Sequence, residues 1–187
     1  MSDQQLIKNE PTVAVEYVEE QLSQNDLNDL CDATDAAIEG GGGFGWVELP
    51  ARDILESYWR GVITAPTRQL FVARLDGTIC GTTQLVLPPR NNEAQGHAIQ
   101  LTTNFVAPWA RGYSLAKMLL EEVEKKSIRD GYAVINLDVR ETMESAIKLY
   151  ESLGYEQFGL HPYSVLANGE TVKSRYYYKL INPKYFN

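Results

Sequence analysis

The chain has 187 residues, enough for one domain with a substantial core but too few for two domains of ordinary size. Its net charge of -8 argues against a nucleic-acid-binding protein, which would carry a basic face. The N-terminal residues lack the basic start and apolar run of a signal peptide, and no segment reaches the roughly 18 apolar residues of a membrane span. We therefore expect a cytoplasmic protein without nucleic-acid or membrane partners, with a flexible arm at residues 1–11 and a single domain over residues 12–187.

The first part of the chain predicts one strand followed by two helices. Thr12–Val18 is short and rich in β-branched residues, which favours a strand. Apolar residues at helical spacing predict a helix over residues 27–38, which the glycine run Gly40–Gly43 ends. A second helix is predicted over residues 49–63, with Pro50 near its start and one apolar stripe.

The middle of the chain predicts a hairpin and then a strand–helix–strand unit. Two β-rich runs in residues 69–87 flank Asp76-Gly77, a pair that tolerates the positive φ angles of a tight hairpin turn. A strand is predicted over residues 97–107 and a helix over residues 112–131. The apolar run at residues 132–139 is typical of a strand that is covered on both faces.

The last part predicts a short helix over residues 142–155 and a terminal hairpin over residues 155–181. The order of elements is therefore one strand, two helices, three strands, a helix, a strand, a helix and two strands. This order predicts an α/β domain built on one mixed sheet, with two strand–helix units near its centre.

The turn between the third predicted helix and the strand before it has the features of an anion site. A helix N-terminus has four free backbone N–H groups and a partial positive charge, and Gly112 lets the backbone approach a ligand closely. Arg111 adds a charged donor, and the Ser114 hydroxyl is a further hydrogen-bond donor. Two interpretations stay open from the turn alone: a phosphate site, or an ordinary turn in which Ser114 caps the helix.

Four motifs in order resemble the GNAT superfamily of N-acetyltransferases. Val106-Ala107-Pro108 ends a strand, and the run from Arg111 to Ala116 matches Arg/Gln-x-x-Gly-x-Gly/Ala, with Ser114 in place of a glycine. Leu149-Tyr150 and Leu153-Gly154-Tyr155 match the superfamily's later Leu-Tyr…Leu-Gly-Phe/Tyr. The resemblance covers roughly residues 40–181 and looks closest to the tabtoxin-resistance acetyltransferases. It implies one mixed, mostly antiparallel sheet of six to seven strands with about four helices.

The resemblance implies acetyl-CoA as the co-substrate and direct transfer to an amine. Backbone N–H groups of the turn would hold the pyrophosphate, and the strand before it would bond the pantetheine arm. The cofactor-binding residues implied are Phe105, Val106, Arg111, Gly112, Tyr113, Ser114, Leu115, Ala116 and Ser145. The glycine run and the aromatics after it favour an acceptor-site lid, with a plain linker as the alternative. The acceptor-binding residues implied are Gly43, Phe44, Trp46 and Gln100.

Direct transfer needs a proton donor for the leaving thiolate and a proton acceptor for the amine. Tyr150 occupies the donor position of the superfamily, and the alternative is a core tyrosine. Gln100 stands where many members have a glutamate base, so the base stays open between Asp138, His97 and an ordered water chain. Asp138 shares a strand face with Asn136, although it would also suit a structural cap.

Neither the two cysteines nor the two histidines have the spacing of a metal site, so no metal is expected. The leading hypothesis is an N-acetyltransferase for a small-molecule amine, with an amino-acid-like antimetabolite as one candidate acceptor. A sensor that binds acetyl-CoA without turnover and a protein or peptide N-acetyltransferase are the alternatives. The oligomeric state, monomer or homodimer, stays open.

Overall fold

The computed structural model describes residues 10–42, 45–46, 48–166 and 169–187. The strands in these ranges are β1 (Val13–Tyr17), β2 (Arg68–Leu75), β3 (Thr78–Val86), β4 (Ala98–Val106), β5 (Val134–Arg140), β6 (Glu156–Val165) and β7 (Thr171–Leu180). The α-helices are α1 (Gln24–Glu39), α2 (Arg52–Thr64), α3 (Leu115–Arg129) and α4 (Glu144–Ser152). The predicted order of strands and helices is confirmed. In the described ranges, no helix is both long enough and apolar enough to cross a membrane.

Two local features of the sequence set the β2–β3 turn and the start of α1. The β2–β3 turn has Asp76 at φ 50° and Gly77 at φ 86°, which confirms the predicted tight hairpin. Helix α1 begins three residues before the predicted start, because the Ser23 hydroxyl accepts a hydrogen bond from the Asp26 N–H at 3.1 Å. The apolar periodicity starts only after this cap, so periodicity alone places the helix start too late.

The strands form one sheet in the order β1-β2-β3-β4-β5-β7-β6. Every neighbouring pair is antiparallel except β4 and β5, which run parallel. The predicted class, a mostly antiparallel mixed sheet with four helices, is confirmed. Helices α3 and α4 pack on one face of the sheet, and α1 and α2 pack on the other.

A β-bulge in β4 reverses which face its side chains meet. Ile99 and Leu101 belong to the core beneath α3 and α4, whereas Phe105 belongs to the core beneath α1 and α2. These odd-numbered residues would share one face in a regular strand. Thr103 has a φ of 52°, and the β3–β4 register shifts opposite it, so an extra residue is inserted there. The bulge therefore turns Asn104 toward α4.

The parallel pairing of β4 with β5 is short. It joins Ala98 to Val134, Ile99 to Ile135 and Gln100 to Asn136. Beyond the third pair both strands continue, β4 to Val106 and β5 to Arg140, without pairing to each other. No ladder joins the facing edges of the two strands in this stretch. The sheet is therefore open between the C-terminal halves of β4 and β5.

Candidate active site

A cavity of about 470 Å³ lies at the opening between β4 and β5. Both strands, the start of α4, helix α2, the first residue of β2 and the segment after α1 contribute to its wall. Its lining residues are Gly42, Gly45, Trp46, Tyr58, Arg68, Leu101, Thr102, Thr103, Asn104, Asp138, Val139, Arg140, Met143, Ala146 and Tyr150. The cavity therefore reaches both faces of the sheet and brings together Tyr150, Asp138 and Trp46, three of the residues predicted from sequence.

Tyr150 is a buried tyrosine whose hydroxyl lies at this cavity. Only 4% of the side chain is exposed, and its ring packs against the rings of Tyr155 and Tyr177 at 5.7 and 6.5 Å. Asn104 Nδ2 donates a hydrogen bond to the hydroxyl oxygen at 2.9 Å. Burial raises the pKa of Tyr150, the Asn104 hydrogen bond opposes that rise, and the charge of Asp138 adds to it. Tyr150 is therefore neutral near pH 7, and its own hydrogen is available for donation.

Asp138 is an exposed carboxylate on β5 that lines the same cavity. Ile135, Leu137 and Val139 are buried in the core beneath α3 and α4, so Asp138 lies on the opposite face of the strand. Asp138 accepts no hydrogen bond from any residue that the structure describes, so it does not cap the following turn. Its carboxylate is free to bind an ammonium group or accept a proton.

Gln100 and His97, the other acceptor and base candidates, do not line this cavity. Both lie in a second groove of about 670 Å³ at the N-terminal ends of β4 and β5. Gln100 belongs to the last β4–β5 residue pair, and the sheet opens only beyond that pair. The His97 ring packs against Tyr185 and Phe186 at 5.7 and 5.2 Å. The structure therefore places Asp138, and not His97 or Gln100, with Tyr150.

A hydrogen-bond chain on the α2 side of the cavity was not expected from the sequence. Arg68 Nη1 donates to Gln84 Oε1 at 2.7 Å, and Gln84 Nε2 donates to the Tyr58 hydroxyl at 3.0 Å. Gln84 is fully buried on β3. A glutamine inside a predicted strand was the available signal, because a buried amide needs partners for both its donor and its acceptor.

Trp46 completes the wall beside Tyr58. Its ring meets the Tyr58 ring edge-on, with 6.0 Å between the centroids. Gly43 and Phe44, which were predicted with Trp46 to contact the acceptor, lie outside the described residues. The prediction that this segment borders the acceptor site therefore rests on Gly42, Gly45 and Trp46.

The predicted anion loop follows β4 directly. Gly112 has a φ of 94°, and a Cβ there would meet no atom within 4 Å, so one face of the loop is open. The first hydrogen bond of α3 runs from the Met118 N–H to the Ser114 carbonyl at 3.0 Å. The helical N–H groups before Met118 are therefore free for an anion. Arg111 and Tyr113 are exposed beside them.

Ser114 does not cap α3 with its side chain, so the alternative interpretation of the turn is wrong in that respect. Its φ of 59° lies in the left-handed region, which strains residues that carry a Cβ.

The other predicted cofactor residues differ in their exposure to solvent. Phe105 and Leu115 are buried, Val106 and Ala116 are half-buried, and Ser145 is exposed in the first turn of α4.

Replacing Ser114 with glycine is expected to raise the free energy of unfolding by up to about 1 kcal/mol. Left-handed backbone at a non-glycine residue stores about 1–3 kcal/mol, part of which the greater unfolded-state entropy of glycine offsets. Ligand affinity at the loop should change little, because the loop already holds this conformation. Thermal unfolding and calorimetric titration with acetyl-CoA measure the two effects.

The matched control for Ser114→Gly is Ser152→Gly. Ser152 is the last residue of α4, and its hydroxyl donates to the Leu149 carbonyl at 2.7 Å. That change should lower the free energy of unfolding by about 0.5–1 kcal/mol. A loss of stability in both variants would contradict the strain assigned to Ser114, and a large gain of affinity in Ser114→Gly would mean that serine impairs the loop.

Neither cysteine belongs to this site. Cys31 and Cys80 are both fully buried, and burial raises the pKa of each thiol to about 11. Neither residue lines the cavity. Within the part of the chain that the structure describes, no group of three or more His, Cys, Asp or Glu side chains is placed to hold a metal ion.

Comparison with known proteins identifies relatives in sequence and in fold. A model of the Acetyltransferase (GNAT) family matches residues 32–155. An uncharacterised N-acetyltransferase from the hisH-hisA intergenic region of Azospirillum brasilense is 58% identical over 130 residues, which are 70% of this chain and 77% of that relative.

Two solved structures share the fold at low sequence identity. The Salmonella typhimurium protein yncA, solved with its cofactor acetyl-CoA, has a TM-score of 0.73 at 13% identity, over 91% of this chain and 95% of that one. The ribosomal-protein-alanine N-acetyltransferase of Brucella melitensis also has a TM-score of 0.73, at 19% identity, over 89% and 99% of the two chains.

Proposed function

Because this chain belongs to the Acetyltransferase (GNAT) family and is an N-acetyltransferase, we propose that it transfers an acetyl group directly from acetyl-CoA to the amine of a small molecule. The observation that carries the proposal is the cavity in which Tyr150 and Asp138 meet at the opening of the sheet. Bound acetyl-CoA supplies a thioester whose carbonyl carbon is open to attack by an amine. The remaining chemistry falls to residues of this chain.

The structure has three features that suit acetyl-CoA. The free N–H groups at the start of α3 and Arg111 beside them suit the pyrophosphate. The edge of β4 that faces β5 is in no ladder with β5 beyond Gln100, and such an edge suits the amide groups of pantetheine. The Asn104 Oδ1 atom is buried and has no partner among the described residues, so it is an acceptor available to a ligand N–H.

In this proposal Tyr150 donates the proton that the leaving thiolate needs, and Asp138 orients the amine and receives its proton. The Asn104 hydrogen bond holds the Tyr150 oxygen, so the phenolic hydrogen is directed away from Asn104. Cys31 and Cys80 are buried and protonated, which agrees with transfer that uses no acyl-enzyme.

The size and walls of the cavity favour a small acceptor. A volume of about 470 Å³ lies within the usual range of about 300–1,000 Å³ for small-molecule sites. Trp46 and Tyr58 border it with aromatic surface, and charged side chains are confined to a few positions. An amino-acid-like acceptor, as in the tabtoxin-resistance group, fits these dimensions.

The test combines binding with turnover. Calorimetric titration with acetyl-CoA measures cofactor binding, and release of free thiol measures transfer to a panel of small amines, amino acids and peptides. Binding with thiol release on small amines or amino acids supports the proposal. Binding without thiol release on any acceptor would favour a sensor, and release on peptides alone would favour a protein or peptide N-acetyltransferase.

A further inference from the structure

We infer that the acceptor carries an anionic group in addition to its amine, and that Arg68 and Tyr58 bind this group. The inference rests on the proposed small-molecule function and names the class of acceptor. The anion is a carboxylate or a phosphorus oxyanion. Asp138 contacts the ammonium group of the same molecule.

Arg68 is held in place while most of its donors stay free. Its Nη1 donates to Gln84 Oε1 at 2.7 Å, and the burial of Gln84 fixes that contact. The Nε and Nη2 groups make no hydrogen bond with the described residues. The Tyr58 oxygen accepts from Gln84 Nε2, and the Tyr58 hydroxyl donates to none of the described residues. A positioned guanidinium beside a hydroxyl donor is suited to a carboxylate or phosphorus oxyanion.

The charges of the cavity point to the same class of ligand. Arg68, Arg140 and Asp138 are its charged lining residues, a net charge of +1 in a chain whose overall charge is -8. No described carboxylate lies within 4.0 Å of either arginine, whereas Arg52 and Arg74 each form such ion pairs. Half-buried guanidinium groups without a counter-ion favour an anion from outside the chain.

Arg68 lies far from the loop that would bind the phosphates of the cofactor. Arg68 pairs with Val86 across β2 and β3, and Val86 pairs with Gln100 across β3 and β4. Gln100 precedes Val106 by six residues, which corresponds to about 20 Å along a strand. The free N–H groups of α3 lie past Val106, at the other end of β4. The Arg68 guanidinium is therefore assigned to the acceptor.

Arg68 and Asp138 lie on the same face of the sheet and line the same cavity, so one ligand in the cavity can contact both. Arg68 alternates along β2 with Leu70 and Val72, which face the core beneath α1 and α2. Asp138 lies on that same face of β5, opposite the residues that face α3 and α4. A dipolar molecule with an ammonium group and an anionic group, as in an amino acid, matches this arrangement.

The experiment compares acceptors that differ only in the anion. The kcat/KM for leucine is measured against that for 3-methylbutylamine, which lacks only the carboxylate, and the same is done for glutamate and 4-aminobutyrate and for an aminophosphonate. We expect the anionic group next to the amine to raise kcat/KM by about 10- to 150-fold, since hydrogen bonds to charged groups contribute about 1.5–3 kcal/mol. The phosphonate arm identifies which oxyanion is preferred.

The protein side of the test uses Arg68→Met, Arg68→Lys and Tyr58→Phe, with Arg90→Met as the control. Arg90 is exposed outside the cavity and loses the same charge. The ratio of kcat/KM for leucine to that for 3-methylbutylamine should fall at least about tenfold in Arg68→Met and remain unchanged in Arg90→Met. Arg68→Lys should keep part of the ratio because the charge remains but the planar guanidinium is lost.

Calorimetric titration of the enzyme with leucine gives a readout that does not depend on turnover, and leucine should bind more weakly to Arg68→Met. Equal kcat/KM for amino acids and their decarboxylated amines would overturn the inference while the proposed function stands. A ratio unchanged in both Arg68→Met and Tyr58→Phe would also overturn it. Turnover of peptides alone would instead refute the small-molecule function itself.

Discussion

Replacement of Tyr150 by phenylalanine is expected to lower kcat by about 100- to 10,000-fold, the usual contribution of a positioned proton donor. Acetyl-CoA affinity should stay close to that of the native enzyme, because the ring and its contacts with Tyr155 and Tyr177 remain. Steady-state thiol release and calorimetric titration measure the two quantities. Unchanged turnover in Tyr150→Phe would refute the assignment of Tyr150 as the proton donor.

The matched control is Tyr155→Phe. Tyr155 is equally buried and touches the Tyr150 ring, but it does not line the cavity. Loss of the Tyr155 hydroxyl should therefore affect stability more than turnover.

The pH profile of kcat gives a further check on Tyr150. A donor is active below its pKa and inactive above it, and burial raises the pKa of Tyr150. The alkaline limb of kcat that Tyr150 causes should therefore lie above pH 10, and a limb near pH 7 would belong to another group.

The second large effect is expected at Gly81, where β3 and β4 approach each other closely. A Cβ at this position would lie 2.8 Å from the Phe105 carbonyl oxygen and 3.0 Å from Val106 Cγ2. Gly81→Ala should therefore displace the end of β4 and lower the free energy of unfolding by about 1–3 kcal/mol. Because this stretch leads into the anion loop, acetyl-CoA affinity should fall in the same variant.

Chemical denaturation and calorimetric titration test the Gly81→Ala prediction against Gly61→Ala. Gly61 lies inside α2, where an added Cβ would meet no atom within 4 Å. Alanine there should raise the free energy of unfolding by about 0.5–1 kcal/mol and leave acetyl-CoA affinity unchanged. Gly81→Ala with native stability and native affinity would show that β4 does not need this close contact.

The order of the elements was predictable because each element has its own local signal. Asp76-Gly77 sets the first hairpin, and the apolar stripes of the helices define their buried sides. Long-range contacts have no such signal. Glu124 on α3 and Lys179 on β7 form a half-buried ion pair with 2.6 Å between nitrogen and oxygen, and neither residue has a local pattern that marks it. Sequence spacing does not reveal partners that are 55 residues apart.

The sequence predicts several residues of the candidate site but only part of its geometry. The Leu149-Tyr150 motif and strand alternation give Tyr150 and Asp138, which the cavity brings together. The structure sets Gln100 and His97 in a different groove from Tyr150 and Asp138, and the sequence does not show where the pairing of β4 and β5 ends. The bulge at Thr103 was also not predictable, since threonine is not expected at a φ of 52°. That bulge places Asn104 against Tyr150.

The short ladder between β4 and β5 has a consequence for how these strands are held together. The two strands share one core with α3 and α4, so the packed side chains hold them together where the ladder does not. A ligand whose amides bond to the open edge would lie there as an additional strand, in the manner of a peptide that extends a sheet.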